Sequence, residues 1–543
     1  MNKYFGLLTL ALLGYSCTSA DKYNAHIEYE IEYEKLQKDV DFAKKKLLTK
    51  HVNIDWYYPK EVITFRLDSF KSSLHAAMKP NDFSRELSKV VSSFGHGHTY
   101  VGQLDKKWNK EQKKKYKGSK NPLNLLGIKT AENRIFLENN YSKDSTIVTN
   151  AELLAIENYT FSDFLKNNYN VRAGDGYTKV LNQNYVAQYF IGHINRKLGT
   201  KDSLVLTLQK NDSIFTQIVK REFKKDKKLK SSVKSDTLIA KKDSVKHQPK
   251  KQLTKEEKLK AKEVLKHKNQ IKKYYAYDKT KKKYNRALKF PNAQDSTTVV
   301  LDVNSFTLNH HKKAYDHIFD SIHRLGTKNL ILDLRENGGG FPEDINHLFA
   351  HLTTKDEPQM VTNRLLKVNS KNAVSSRFFT HPDLISHTLF LPYMIYKSTA
   401  TSLRTKKING EYYYNGATAK DFIKKDKNKF EGNLYVLTSG KTYSAASLIS
   451  TALQSEGKAV FVGEETGGDY NGTVAGYSED YKLPNSKIKI MIPMMVFAPN
   501  KSRDLKGRGV IPNKEIKYKF QDLMNQKDAQ MEWILNDIAS KNK

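Results

Sequence analysis

Leu434-Tyr435-Val436-Leu437-Thr438-Ser439-Gly440-Lys441-Thr442-Tyr443-Ser444-Ala445-Ala446-Ser447 is the stretch whose reading decides the fold. Four apolar residues read as a buried strand, and Gly440 breaks it. Leu448, Ile449, Ala452 and Leu453 then recur with the spacing of one helix face. A second apolar strand, Ala459-Val460-Phe461-Val462, runs into the loop Gly463-Glu464-Glu465-Thr466-Gly467-Gly468. Strand, helix, strand in that order implies a largely parallel sheet, with ligands expected beyond the carboxyl ends of its strands. A serine at such a turn has unpaired N–H groups and the positive end of a helix dipole beside it. Acyl transfer asks for that environment, because its transition state places negative charge on an oxygen. The same serine serves equally well as a helix N-cap, so the turn alone leaves both readings open.

Upstream the texture is the same. Thr298-Val299-Val300-Leu301-Asp302-Val303 reads as a buried strand, and Tyr315, Ile318, Phe319, Ile322 and Leu325 mark an amphipathic helix. The strand Asn329-Leu330-Ile331-Leu332-Asp333-Leu334 follows and ends in Arg335-Glu336-Asn337-Gly338-Gly339-Gly340. Successive glycines there leave backbone N–H groups uncovered, as an anion hole requires. No Gly-Lys-Ser/Thr follows, which argues against a phosphate loop. Residues 356–429 are expected to be an insertion or lid. Downstream come Leu483-Pro484-Asn485-Ser486, an alternating strand over 487–493, the turn Gly507-Arg508-Gly509-Val510-Ile511-Pro512-Asn513 and one closing helix from Gln521.

The first third differs. Leu36, Val40, Ala43 and Leu47 recur at helical spacing, as do Val62, Phe65 and Phe70. A third helix carries Phe83, Leu87, Val90 and Val91 and stops at Gly95. Gly95-His96-Gly97-His98-Thr99-Tyr100-Val101 then places two histidines at the mouth of a strand. A metal pair, a general base and a surface loop all remain open, although His-x-His lacks the further ligands of a convincing metal site. Between Asn121 and Lys220, short strands alternate with turns and one or two helices, describing a small half-open barrel. Asn150-Ala151-Glu152-Leu153-Leu154-Ala155-Ile156-Glu157-Asn158 resembles a stretch of PDZ domains, which implies a groove that binds peptides by strand addition.

A chain of 543 residues is too long for one core. Its net charge of +35 is concentrated, because residues 221–290 hold 26 Lys+Arg against 8 Asp+Glu. A localised basic insertion of low hydrophobicity is not a DNA-binding face. It predicts a disordered segment or a solvated helix, and it is a candidate for contact with anionic surfaces. The one cysteine, Cys17, excludes an intramolecular disulfide. It follows Asn2-Lys3, an apolar run from Phe5 to Leu13, and Gly14-Tyr15-Ser16. That run is too short to span a bilayer, and the arrangement resembles a bacterial lipoprotein signal in which the cysteine is lipidated.

Four separated pieces stand in one order: Gly97-His98-Thr99, the PDZ-like stretch, Leu332 to Gly340, and Leu437 to Ser447. In that order the chain resembles the carboxy-terminal processing (tail-specific) serine peptidases, on their tricorn-core-like branch and of the Bacteroidota lipoprotein type. Val462 to Gly468, Leu483 to Ser486 and Gly509-Val510-Ile511-Pro512 add to it. The resemblance implies an α/β fold in three parts: a helical N-terminal region, a PDZ-like small β module and a ClpP/crotonase-like catalytic domain. It implies Ser444 as nucleophile, with an oxyanion held by backbone N–H groups of Gly339, Gly340 and Ala445. Processing peptidases with a serine–lysine dyad carry their lysine where this chain has Asp469. An aspartate cannot be that neutral amine, so the base implied by the tricorn-like pattern is His98, with His96 where relatives usually have aspartate. The glutamate of that pattern falls on Lys506, which leaves Asp504 and Glu465 as candidates for the orienting acid.

The expected layout is a signal peptide at 1–17, a helical region at 22–118 and a PDZ-like module at 121–222. A basic insertion at 223–290, a peptidase domain at 291–520 and a helix at 521–543 complete it. The leading reading is an exported, lipid-anchored serine endopeptidase of the bacterial envelope, periplasmic or surface-exposed. It would cleave unfolded or C-terminal peptide segments and need no metal or cofactor. Two rivals stand beside it: a catalytically inactive relative that binds peptides or another ligand, and an envelope protein working through its basic insertion.

Overall fold

The computed structural model describes residues 19–168, 170–223, 254–355, 365–379, 384–415, 428–499 and 502–541. The expected signal peptide and Cys17 lie outside these residues, as does most of the first half of the basic insertion.

The chain begins with helices α1 (Ala20–Glu28), α2 (Tyr33–Lys50), α3 (Lys60–Ser72) and α4 (Pro80–Ser92), followed by the short strand β1 (Tyr100–Val101). On α2, Leu36, Val40, Ala43 and Leu47 are all buried, as their spacing requires. On α3 the expectation is corrected. Ile63 and Leu67 are buried, whereas Phe65 is 71% exposed, because the i, i+4 pair and not the larger ring faces the neighbouring helices.

This helical region is not a separate domain. Its core closes only with Leu483, Ile488, Ile490 and Ile492 from far downstream. The buried carboxylate of Asp39 on α2 fastens the junction. It accepts hydrogen bonds from the Asn485 N–H at 2.8 Å, the Asn485 side-chain amide at 3.0 Å, the Ser486 N–H at 2.7 Å and the Ser486 hydroxyl at 2.6 Å. The Asn485-Ser486 turn therefore has a physical task, which is to dock the helices.

The next module is an antiparallel sheet of β2 (Leu126–Ala131), β3 (Arg134–Asn140), β4 (Ala151–Ile156), β5 (Tyr159–Thr160), β6 (Ser203–Lys210) and β7 (Ser213–Lys220). Its path runs β2-β3-β4-β6-β7, with β5 pairing β4. Two helices accompany it, α5 (Phe161–Asn168) and the 19-residue α6 (Val180–Leu198). Strand β2 lies at the sheet edge with α6 alongside.

In the basic insertion the described part is ordered. Thr254 caps α7 (Lys255–Tyr274) through a capping box with Glu257, so a local motif holds a helix in which none of the described side chains is buried. The boundary expected at 290 also moves, since β8 (Arg286–Lys289) already pairs antiparallel with β9 (Thr298–Val303). Arg286 is buried there, beside Asp344.

The sheet begun by β8 and β9 continues through α8 (His311–Arg324), β10 (Asn329–Asp333) and α9 (Pro342–Leu352). An insertion follows in which β11 (Leu365–Val368), α10 (Leu384–Leu403), β12 (Thr405–Ile408) and β13 (Glu411–Asn415) are described. Its sheet order is β11-β13-β12. Then come β14 (Asn433–Thr438), α11 (Ala445–Glu456) and β15 (Ala459–Gly463). A hairpin of β16 (Thr473–Lys482) and β17 (Lys489–Phe497), the edge strand β18 (Lys514–Glu515) and α12 (Ala529–Lys541) complete the chain. The closing helix begins later than expected, because Gln526 adopts a positive φ after the short helix Phe520–Met524.

The sheet order is β8-β9-β10-β14-β15-β18, parallel except at β8. Side chains alternate between its faces. Val299, Leu301, Leu330, Leu332, Leu434 and Val436 pack under α8, α9 and α11, while Val300, Ile331, Tyr435 and Leu437 pack under α12. Covering both faces explains the unbroken apolar runs seen in the sequence.

Two outcomes test this assembly. Asp39→Ala removes the acceptor of four hydrogen bonds at a buried junction, so it should lower unfolding free energy by about 2 to 4 kcal/mol in a denaturant titration. The second concerns acid. His51, His96 and His98 are buried neutral, His51 well below and the other two pushed down to about 4, in each case first by burial. Their folded values lie below 6.5, so their contribution is complete above that pH and is lost as pH falls towards 4, at about 1.4 kcal/mol per pH unit per group. The melting temperature should therefore fall from pH 6.5 downwards, and His96→Gln should weaken that dependence.

Candidate functional site

Ser444 closes the turn between β14 and α11. Side chains on that turn tie it to the neighbouring strand end. The Ser439 hydroxyl donates to the Arg335 carbonyl at 2.6 Å, and the Thr442 hydroxyl to the Leu334 carbonyl at 2.9 Å. Ser444 itself has φ +56° and ψ −124°, a conformation that costs an L-residue about 1 to 3 kcal/mol. It occupies the N-cap position, yet its side chain makes no capping hydrogen bond. The Oγ lies instead 3.1 Å from Nε2 of His98, 346 residues earlier in the chain.

His98 arrives on β1, which pairs antiparallel with β17 through Tyr100 opposite Met491 and Val101 opposite Ile490. Gly97 is required next to it. A Cβ there would stand 2.3 Å from the Tyr443 hydroxyl oxygen and 2.9 Å from the Ala173 carbonyl oxygen. Nδ1 of His98 faces two hydroxyls, Tyr443 at 2.7 Å and Thr473 at 3.1 Å. Burial, and secondarily His96, pushes the imidazole down to about 4, so it is neutral at pH 7. His96 plays a structural part. Its Nε2 bonds the Ile54 carbonyl at 3.0 Å, and its ring packs between His51 and Tyr57. Among the described residues no cluster of His, Cys, Asp and Glu could hold a metal ion.

The glycine run reaches the same place. A Cβ on Gly339 would meet the Ser444 Cβ at 2.7 Å, and Gly339 has φ +100°. The Gly339 N–H, however, donates to the Asn337 side chain at 2.9 Å. Of the three expected oxyanion donors, Gly339 thus contributes close approach. The N–H groups of Gly340 and Ala445 line the groove with no other acceptor among the described residues.

The expected orienting acids are elsewhere. Glu465 is bound by Arg508 at 2.7 Å and by the Gly509 N–H at 2.7 Å, and Asp504 is exposed on the surface. Charge pairing with Arg508 holds Glu465, so neither residue reaches His98. Asp469 accepts from the N–H groups of Asn471 and Gly507, fastening its loop. The lysine nearest in sequence, Lys441, is turned away into an ion pair with Glu336 at 2.9 Å.

Three side chains at the site were not singled out in the sequence: Tyr443, Thr473 and Asp175. Tyr443 donates to Asp175 Oδ1 at 3.3 Å. The signal available for Asp175 was its setting in Gly174-Asp175-Gly176, a carboxylate between glycines on a loop. Ser444 and His98 open onto a groove of about 810 Å³ whose apolar lining includes Leu448, Ala475, Met495 and Phe497.

Residues 297–516 match the family model described as Peptidase family S41. Among solved structures, mature CPAF complexed with lactacystin is similar at TM-score 0.53 and 13% identity, covering 93% of this chain and 97% of that one. Mature CPAF is similar at TM-score 0.51 and 12% identity, covering 91% and 94%. A putative S41 protease from Bacteroides fragilis has TM-score 0.37 and 13% identity over 85% and 90%. At these identities the first two likenesses concern the fold. No curated protein sequence matches the chain. Residues 297–516 therefore belong to peptidase family S41, and the chain that carries them is a serine-type endopeptidase.

Proposed function

We propose that Ser444 and His98 form the catalytic pair of this peptidase. The single observation that carries the reading is the 3.1 Å approach of Oγ to Nε2 by a serine that declines to cap its own helix. Nε2 of the neutral imidazole takes the hydroxyl proton as Oγ attacks the substrate carbonyl carbon. The N–H groups of Gly340 and Ala445 receive the oxyanion. The carbon–nitrogen bond then breaks, and the proton on Nε2 passes to the departing amine. Water repeats the sequence on the ester, returning Ser444 and releasing the carboxylate.

The apolar walls of the groove favour apolar side chains beside the scissile bond. The small antiparallel module reads as PDZ-type, because edge strand β2 with α6 alongside offers an unpaired backbone for an extended peptide. A cavity of about 610 Å³ lies between Leu126, Gly127 and Ile128 of β2 and Asn184, Gln188 and Ile191 of α6, and its far wall carries charged residues of the parallel-sheet domain such as Arg335, Glu336 and Lys441. The catalytic sheet reads as the ClpP/crotonase type. Export with lipidation at Cys17 rests on the sequence from Asn2 to Cys17. Together these describe an envelope-anchored endopeptidase acting on unfolded or C-terminal segments.

A fluorophosphonate probe and a denatured protein substrate test the pair on the purified chain. Labelling should map to Ser444, and Ser444→Ala should abolish both labelling and cleavage. His98→Ala should reduce kcat by at least about a hundredfold. Full cleavage by Ser444→Ala would sink the proposal. Gly339→Ala should cost about tenfold or more in kcat with the chain still folded, because the added methyl must displace Ser444. Peptide-library cleavage should favour apolar over acidic residues beside the cut.

A further inference from the structure

We propose that Asp175, acting through the Tyr443 hydroxyl, is the acid that orients His98, so that the relay runs Ser444–His98–Tyr443–Asp175. The inference rests on the Ser444–His98 pair proposed above.

For Nε2 of His98 to accept a proton from Ser444, the ring hydrogen must sit on Nδ1 and need an acceptor there. The groups at Nδ1 are hydroxyls, and a hydroxyl has no preference between accepting and donating. Something behind it must impose the direction. Asp175 Oδ1 does so for Tyr443, accepting its O–H at 3.3 Å, while Tyr443 is 2.7 Å from Nδ1. The same oxygen accepts the Gly97 N–H at 3.0 Å, fixing the carboxylate to the turn that carries the base.

Asp175 is 1% exposed and has no Lys or Arg ion-pair partner among the described residues, an expensive place for an acid. An asparagine would serve the Gly97 N–H and the Tyr443 hydroxyl equally well. What the acid adds is negative charge, which stabilises the imidazolium formed as Ser444 gives up its proton. The Asp175 loop is held by backbone bonds to three parts of the chain: Asp175 N–H to Gly467 O at 3.0 Å, Gly176 N–H to Gly95 O at 2.8 Å, and Tyr177 N–H to Gly507 O at 2.9 Å. Such a loop keeps a carboxylate in register with a base delivered from elsewhere.

The groups facing Asp175 are Tyr57, Tyr443, Thr473 and Asp469, with Lys506 beyond Asp469; behind Tyr443 stand His98, Tyr189 on α6 and Arg172. Burial pushes the carboxyl up to about 7, against the lowering effect of hydrogen bonds from Thr473, Gly97 and Tyr443. Once protonated, Asp175 donates to Tyr443, which turns to donate to Nδ1. The ring hydrogen then sits on Nε2, where it blocks transfer from Ser444. Activity should rise as pH climbs through about 7, above the range set by His98 itself at about 4.

The test is the pH profile of kcat and KM for the purified chain and for Asp175→Asn, Tyr443→Phe and the double variant. At pH 8 each single variant should lose about tenfold or more in kcat with KM within about twofold. The rise near pH 7 should disappear in Asp175→Asn, and the double variant should be no worse than the poorer single one. A purely structural role would leave that rise in place. Wild-type kcat and an unshifted profile in Asp175→Asn, or in Tyr443→Phe, would overturn the relay while leaving the Ser444–His98 pair standing. Cleavage that persists in Ser444→Ala would instead remove the pair on which the relay depends.

Discussion

The site depends on one small pairing: Tyr100 and Val101 of β1 against Met491 and Ile490 of β17. Two residues of antiparallel ladder bring the His98 turn to Ser444 across 346 positions of sequence. A ladder that short could not hold register alone. Register is supplied by the apolar core under it, where α2, α3 and α4 share Leu483, Ile488, Ile490 and Ile492. The Asp39 contact with Asn485 and Ser486 locks the same junction through charge-assisted hydrogen bonds. Stability and the placement of the proposed base are thus one property of this fold.

Close backbone approach is the second constraint. Ser444 is left with room for only a glycine in front of it, at Gly339, and Tyr443 for only a glycine beside His98, at Gly97. The strained φ of Ser444 persists because the turn around it is bonded from both sides, by Ser439 and Thr442 to the end of β10 and by Gly467 to the Thr442 carbonyl. A serine so placed points at the groove and away from its helix.

How much of this was legible in the chain follows from the range of each interaction. The runs Leu434–Leu437, Leu330–Leu334 and Val299–Val303 announced a buried parallel sheet because such strands are apolar on both faces. The capping box at Thr254 is equally local, and the solvated helix that the lysine-rich composition left as one of two readings runs from Lys255 to Tyr274. Phe65 misled because periodicity does not distinguish a ring at the edge of a helix face from the Ile63 and Leu67 pair at its centre.

The sequence by itself determined that the chain holds a parallel α/β domain, that a serine stands at a strand-to-helix turn, and that histidine and glycine turns lie far from it. These follow from short-range periodicity and from backbone chemistry that glycine alone permits. The tertiary structure decided which groups meet. Glu465 went to Arg508, Asp504 to solvent, Lys441 to Glu336, and Asp175 to the Tyr443 hydroxyl. Those partnerships are settled by burial and charge balance among residues hundreds of positions apart, and no local pattern carries that information.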